Sequence, residues 1–137
     1  MKYDVFISSS AQDRDWVRAL AAALKASGLS VWHHETKIKP GDLLLKRLRE
    51  GLESSRNVVF VLDEKASKSN WVLFELGATL GLRKPIIPVV REGVSLGELP
   101  GPIRIRRHIT GRDPAATAKE IVQAITMEQD EHENTTA

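Results

Sequence analysis

Short apolar runs and longer stretches with apolar residues every fourth position alternate along this chain from its first residues. Tyr3-Asp4-Val5-Phe6-Ile7 is a brief β-rich run closed by three serines. Asp13 to Ala26 repeats Trp16, Leu20 and Leu24 at helical spacing until Gly28 stops it. Leu29-Ser30-Val31-Trp32 predicts a second strand and His33 to Asp42 a polar loop around Pro40-Gly41. Leu44, Leu48 and Leu52 predict a second helix behind an Asp42 cap. Asn57 to Leu62 is an almost unbroken apolar run, as a strand covered on both faces requires. Asp63 to Asn70 is polar, and Trp71 to Leu82 predicts a third helix capped by Ser69 or Asn70. Pro85 to Val90 predicts a fourth strand in which Pro88 is awkward, since proline belongs at edges and bulges. Ile103 to Ile109 predicts the fifth strand and Pro114 to Met127 the last helix. The polar tail 128–137 is expected to be disordered or to begin a linker.

Strands separated by helices imply βαβ units and a parallel sheet covered on both faces, in one α/β domain over residues 1–127. Ligands of such sheets bind beyond the carboxyl ends of the strands. That rule selects Ser8 to Asp13, Trp32 to Leu43 and Asp63 to Glu75.

A chain of 137 residues suits one hydrophobic core. With no cysteine, disulfides and thiolate chemistry are excluded, and a reducing cytoplasm is the expected compartment. No apolar stretch approaches the roughly 20 residues of a membrane-spanning helix, and Asp4 stands where a secretory signal would begin its apolar run. Four acids (Glu128, Asp130, Glu131 and Glu133) follow Met127, leaving 20 bases against 14 acids before it. The excess suits a phosphate-bearing ligand or an acidic partner. Nucleic acid is not expected, because aromatics for base stacking are sparse.

Several common sites are missing. No G-x-G-x-x-G follows the first strand, and there is neither a phosphate-binding G-x-x-x-x-G-K-[ST] loop nor a G-x-S-x-G nucleophile elbow. The four histidines do not form a metal-ligand spacing, so no metal is expected. A receiver-type phosphoacceptor at Asp63 would need carboxylates after the first strand, where Ser8-Ser9-Ser10 stand.

Glu75 is the only ionisable residue between Asn70 and Arg83, within a helix apolar enough to be largely buried. A carboxylate there must find a cleft, a partner or water, or else have its pKa raised; the plainer reading is a solvent-facing Glu. Trp71 stands one turn earlier, on the same side of the helix.

Tyr3-Asp4-Val5-Phe6-Ile7-Ser8 followed by Asp13 resembles the first signature box of a TIR (Toll/interleukin-1 receptor) domain. Ile38-Lys39-Pro40-Gly41-Asp42 resembles its BB loop, and Ser69-Asn70-Trp71-Val72-Leu73-Phe74-Glu75-Leu76 resembles the helix that bears its catalytic glutamate. The resemblance implies a flavodoxin-like three-layer sandwich with a five-stranded parallel sheet in the order 2-1-3-4-5. It also implies the NAD-cleaving branch, in which the nicotinamide–ribose bond breaks to give ADP-ribose or a cyclic form, and NAD is the substrate with no cofactor needed. Glu75 takes the catalytic role by this resemblance. Trp71, Ser8, Ser9, Asp13, Lys39 and Gly41 are the expected substrate contacts, and Lys37, Ile38, Pro40, Gly41 and Asp42 the segment that contacts other TIR domains. Fusion to a sensor domain is a further expectation. The competing reading is a TIR interaction module that signals by assembly without catalysis. Two departures touch the same region: His33-His34 follow Trp32 where many relatives carry an acid, and Ser9 stands where many carry an aromatic or His.

Overall fold

Five parallel strands carry the domain: β1 Tyr3–Ser9, β2 Val31–His33, β3 Ser55–Leu62, β4 Ile86–Arg91 and β5 Ile109–Gly111, in the spatial order β2-β1-β3-β4-β5. The computed structural model describes residues 1–9, 14–33, 41, 44–64 and 70–136, with backbone alone at 44, 45, 70–72, 74 and 128–136. Among the described residues the helices are α1 Arg14–Ala26, α2 Leu44–Glu53, α3 Asn70–Gly81, the one-turn α4 Gly101–Arg104 and α5 Pro114–Thr136. The expected flavodoxin-like order is the observed one.

Pleating sends alternate residues to opposite faces, and each face has its own core. Val5 and Ile7 of β1 with Val59 and Val61 of β3 pack under Val17, Leu20 and Leu24 of α1 and Ile121 of α5. Phe6, Phe60 and Leu62 pack on the other face under Leu48 and Leu52 of α2, Leu76 of α3 and Ile103 of α4. Phe6 also stacks on Trp32, with ring centroids 4.6 Å apart and planes 6° from parallel. That stack leaves room for α2 only because residue 51 is glycine. A Cβ there would lie 2.5 Å from Trp32 Cε2.

Polar contacts fix the ends. The Asp4 carboxylate accepts from Ser30 N at 2.9 Å and from Ser30 Oγ at 3.1 Å, which pins the entry of β2 to β1. Beyond α1, Gly28 has a φ of +91°, and Leu29 N donates to Leu24 O while Gly28 N donates to Lys25 O. This paired C-terminal closure satisfies two carbonyls of the last turn. Arg83 repeats the left-handed turn after α3 at φ 56°, where glycine would be less strained. Asp113 caps α5 by accepting from Ala116 N at 2.9 Å, ahead of Pro114 at the first helical position.

Several elements differ from the expectations. The fifth strand is only Ile109–Gly111, whereas Ile103 belongs to α4 and is buried. Pro100, Gly101 and Pro102 favour a helical start there, and the second core claims Ile103. Pro88 sits inside β4 opposite Phe60, but β5 pairs only from Val89 onward, so that stretch of β4 has one open edge where proline is tolerated. Helix α5 continues to Thr136, nine residues past its expected end. The Glu and Gln of that stretch are good helix formers, and polarity does not stop a helix already nucleated by packing. His33 lies within β2 and is buried, not at the head of a loop. Residues 34–40 and 42–43 lie outside the described residues, and Gly41 is a turn residue at φ +93°.

Gly51→Ala tests the Trp32 packing. Helix propensity would gain about 1 kcal/mol, but overpacking a core ring costs roughly 1–3 kcal/mol. The melting temperature is expected to fall. Gly77 lies in the interior of α3 with nothing within 4 Å of a built Cβ, so Gly77→Ala should raise it. Thermal unfolding of both variants checks the pair.

Candidate active site

Helix α3 is apolar around most of its circumference and docks on β1. Its inward stripe carries Glu75, Leu76 and Thr79, each at most 4% exposed. Glu75 itself is fully buried, in the second turn, where a helix that follows β3 stands near the carboxyl ends of the strands. Thr79 donates its hydroxyl to the Glu75 backbone carbonyl at 2.7 Å and so makes no use of the carboxylate.

The sheet presents Ser8 to this carboxylate. Ser8 follows Phe6 by two positions and shares its face, opposite Phe60 in the register with β3. Its side chain is fully buried too. Neither Glu75 oxygen nor Ser8 Oγ makes a hydrogen bond among the described residues. Burial pushes the Glu75 carboxyl up from its ordinary 4.5 to about 8, and the nearby Ser8 hydroxyl opposes the rise. The hydroxyl is thus near enough to favour the anion without making a hydrogen bond to it in this structure. An unpartnered acid inside an apolar wall is costly to keep, and such groups concentrate where ligands bind.

The expected site residues separate in the structure. Ser8 and Ser9 both lie inside β1, paired with Phe60 and Val61, instead of in the turn beyond it. Ser9 faces the α1 side with Val5 and Ile7, across the sheet from Glu75, because adjacent strand residues point opposite ways. Trp71 is on α3 one turn before Glu75, and its side chain lies outside the described residues. Asp13, Lys37, Ile38, Lys39, Pro40 and Asp42 also lie outside them, while Gly41 is described as a turn. Sequence alone does not reveal that Ser8 faces Glu75. Strand parity with Phe6 is its only signal.

Two open depressions lie elsewhere. One of about 620 Å³ runs beside β5, lined by His108, Thr110, Arg112, Asp113, Thr117 and Glu120. The other, about 320 Å³, lies between Leu96, Leu99, Ile103 and His108. The first mixes charges of both signs (Arg112 with Asp113 and Glu120), and the second carries Arg104 with no acid beside it. Arg91 is held away from both roles: its guanidinium lies 4.2 Å above the Trp16 ring and donates to Gly111 O at 2.6 Å. No group of His, Asp or Glu able to hold a metal occurs among the described residues, and no helix there is long and apolar enough to cross a membrane.

The family model described as TIR domain matches residues 5–126. A 2′ cyclic ADP-D-ribose synthase of Bacteroides thetaiotaomicron is 34% identical over 93 residues, covering 64% of this chain and 32% of the relative. An NAD(+) hydrolase of Paracoccus denitrificans is 37% identical over 92 residues, covering 64% and 31%. Among solved structures, a metazoan TIR-STING receptor from C. gigas in complex with 2′,3′-cGAMP superposes with a TM-score of 0.78 at 26% identity, over 90% of this chain and 39% of that one. The chain therefore spans about a third of the length of the two curated relatives.

The raised pKa has a measurable cost. Between pH 4.5 and about 8 the folded chain keeps a proton on Glu75 that the unfolded chain releases. Stability from this group is therefore lost as pH rises through that window and is level above it, a span on the order of a few kcal/mol. Glu75→Gln removes the ionisation. Its melting temperature is expected to exceed the parent's by several degrees at pH 8, the two converging toward pH 4.5. Calorimetry across that range decides, and a difference independent of pH would contradict a buried acid.

Proposed function

Since the chain belongs to the TIR-domain family, we propose that it cleaves NAD at the bond between nicotinamide and ribose, with Glu75 as the carboxylate that acts on the ribose. The observation that carries this reading is one buried carboxyl, near the carboxyl ends of the strands, with neither oxygen partnered among the described residues. The names of the two curated relatives, a hydrolase and a cyclic ADP-ribose synthase, support the same chemistry.

One carboxylate suffices for this bond. Ordinary glycosidases need a second carboxyl to protonate a poor leaving group. Here the C1′–N bond breaks with its electron pair passing to the pyridinium nitrogen, so nicotinamide departs neutral and needs no proton. The ribose is left with oxocarbenium character at C1′. An ionised Glu75 stabilises that charge from inside a low-dielectric wall and accepts hydrogen bonds from the ribose hydroxyls. Water attacking C1′ and losing a proton gives ADP-ribose. A hydroxyl of the same ligand attacking C1′ gives a cyclic product. Trp71, one turn away, would wall the site or stack on a ring of the ligand.

Assembly belongs to the same proposal. The outward side of α3 shows Leu73 (43% exposed) and Leu80 (38% exposed), with no charge to solvate it. An uncharged helix surface of this kind favours contact with another domain. We assign residues 37–42 to contacts between TIR domains and place the reaction in the cytoplasm, in keeping with the lack of cysteine. NAD is substrate in this reading and no cofactor takes part.

Incubation with NAD, followed by chromatographic detection of nicotinamide, tests the reading. Glu75→Gln should lower the rate by roughly 10²–10³-fold while the protein stays folded. A folded variant turning over at the parent rate would remove Glu75 from the mechanism. Specific activity should also rise across a dilution series from low to high protein concentration, in step with association seen by light scattering. A flat specific activity would make the site self-contained.

A further inference from the structure

Ser8 is an unexpected residue where it stands. Its neighbours on that face of the sheet are Phe6 and Phe60, which belong to the core that Leu62 and Leu76 share. An apolar side chain would complete the wall, yet the position holds a fully buried hydroxyl with no partner among the described residues. Among the described residues, the orphaned polar atoms of α3 are the two oxygens of Glu75. A hydroxyl donor without an acceptor beside an acid without a donor is a pair arranged but not joined. The hydroxyl hydrogen turns freely about its C–O bond, so the pair joins at little cost once there is a reason to do so.

A cationic ligand supplies the reason. Resting on the reading that Glu75 acts on NAD, we propose that Ser8 is the positioning residue of this site, its hydroxyl donating to the Glu75 carboxylate when the pyridinium cation arrives and Glu75 gives up its proton to solvent. The balance is simple: the neutral acid becomes an anion beside the ligand's positive charge, one proton leaves, and no electron changes hands. Burial keeps Glu75 protonated in the empty site at neutral pH. The cation and the Ser8 donor both favour the anion that the mechanism requires.

Among the described residues no other charged group takes this part. Burial and the Ser8 hydroxyl are what set the Glu75 pKa. Asp63 and Glu64 follow β3, Arg47 lies on α2 and Arg104 on α4. His33 on β2 shares the register of Ile7 and so faces the α1 side. Asp13, Lys37, Lys39, Lys65 and Lys68 lie outside the described residues.

Three measurements on the full chain test the proposal. The first is a ¹³C-carboxyl NMR titration of Glu75 without ligand, in the parent, Ser8→Ala and Thr79→Val. Ser8→Ala should move the midpoint above the parent's value of about 8, whereas Thr79→Val, which removes a hydroxyl bound to the backbone, should leave it in place. Equal midpoints in the parent and Ser8→Ala would overturn the role of Ser8. The second is calorimetric binding at pH 7 of a carbocyclic NAD analogue, which keeps the pyridinium but has no ring oxygen to assist cleavage of its C–N bond, in buffers of different ionisation enthalpy. Release of roughly one proton per bound analogue is expected; none would overturn the coupling. The third is the pH profile of kcat/KM for NAD cleavage. Its acid limb should lie at higher pH in Ser8→Ala. Wherever both profiles are still rising, kcat/KM falls roughly tenfold for every pH unit by which the limb moves, and the gap closes at high pH. An unmoved limb would overturn the positioning role. A parent chain that cleaves no NAD would refute the enzymatic reading, while the titration without ligand still judges Ser8 separately.

Discussion

Taking the Glu75 carboxyl out of water without a hydrogen bond to either oxygen penalises the folded chain at every pH where the acid would ionise, and the rest of the domain has to hold it there. No local feature of α3 does this. The helix has Leu73 and Leu80 exposed on its far side. Leu76 joins it to the core of Phe6, Phe60 and Leu62, and these are fixed by β1 and β3 at the centre of the sheet. A site built on central strands and a docked helix keeps its geometry better than one built on loops.

That rigidity is reinforced at close approaches that only particular residues allow. Gly51 lets α2 lie on the Trp32 ring, and the ring in turn stacks on Phe6, two positions before Ser8 in β1. On the other face, Gly111 leaves room for Trp16, whose indole N–H donates to Arg112 O at 3.0 Å while Arg91 covers its ring. The carboxyl ends of β4 and β5 are thereby tied to the first turn of α1. Both arrangements trade conformational freedom for a fixed rim at the end of the sheet where ligands of this architecture bind. The destabilising acid and the stabilising glycines are thus two sides of one design, in which the cores offset what the site costs.

Much of this is legible in the residues. The run Asn57–Leu62 reads as a strand covered on both faces, and β3 extends from Ser55 to Leu62. Leu20 and Leu24 mark the buried stripe of α1, and Glu75 stands out because nothing else between Asn70 and Arg83 ionises. Other positions are not legible. Ile103 looks like a strand residue because β-branched apolar side chains suit strands, but a core contact and the two prolines that precede it make it helical. Pro88 argues against a strand until one knows that the pairing with β5 on that side begins only at Val89.

Hydrophobic period and composition are properties of the chain, and they set the order of strands and helices, the apolar faces those elements bury and the single acid placed among them. Packing in three dimensions settled the rest: that Ser8 and not Ser9 shares a face with that acid, that neither has a partner among the described residues, and that burial holds the proton on Glu75 to about pH 8. A hydrogen-bond partner and a local dielectric are set by what other elements bring to a point in space, and no residue carries them alone.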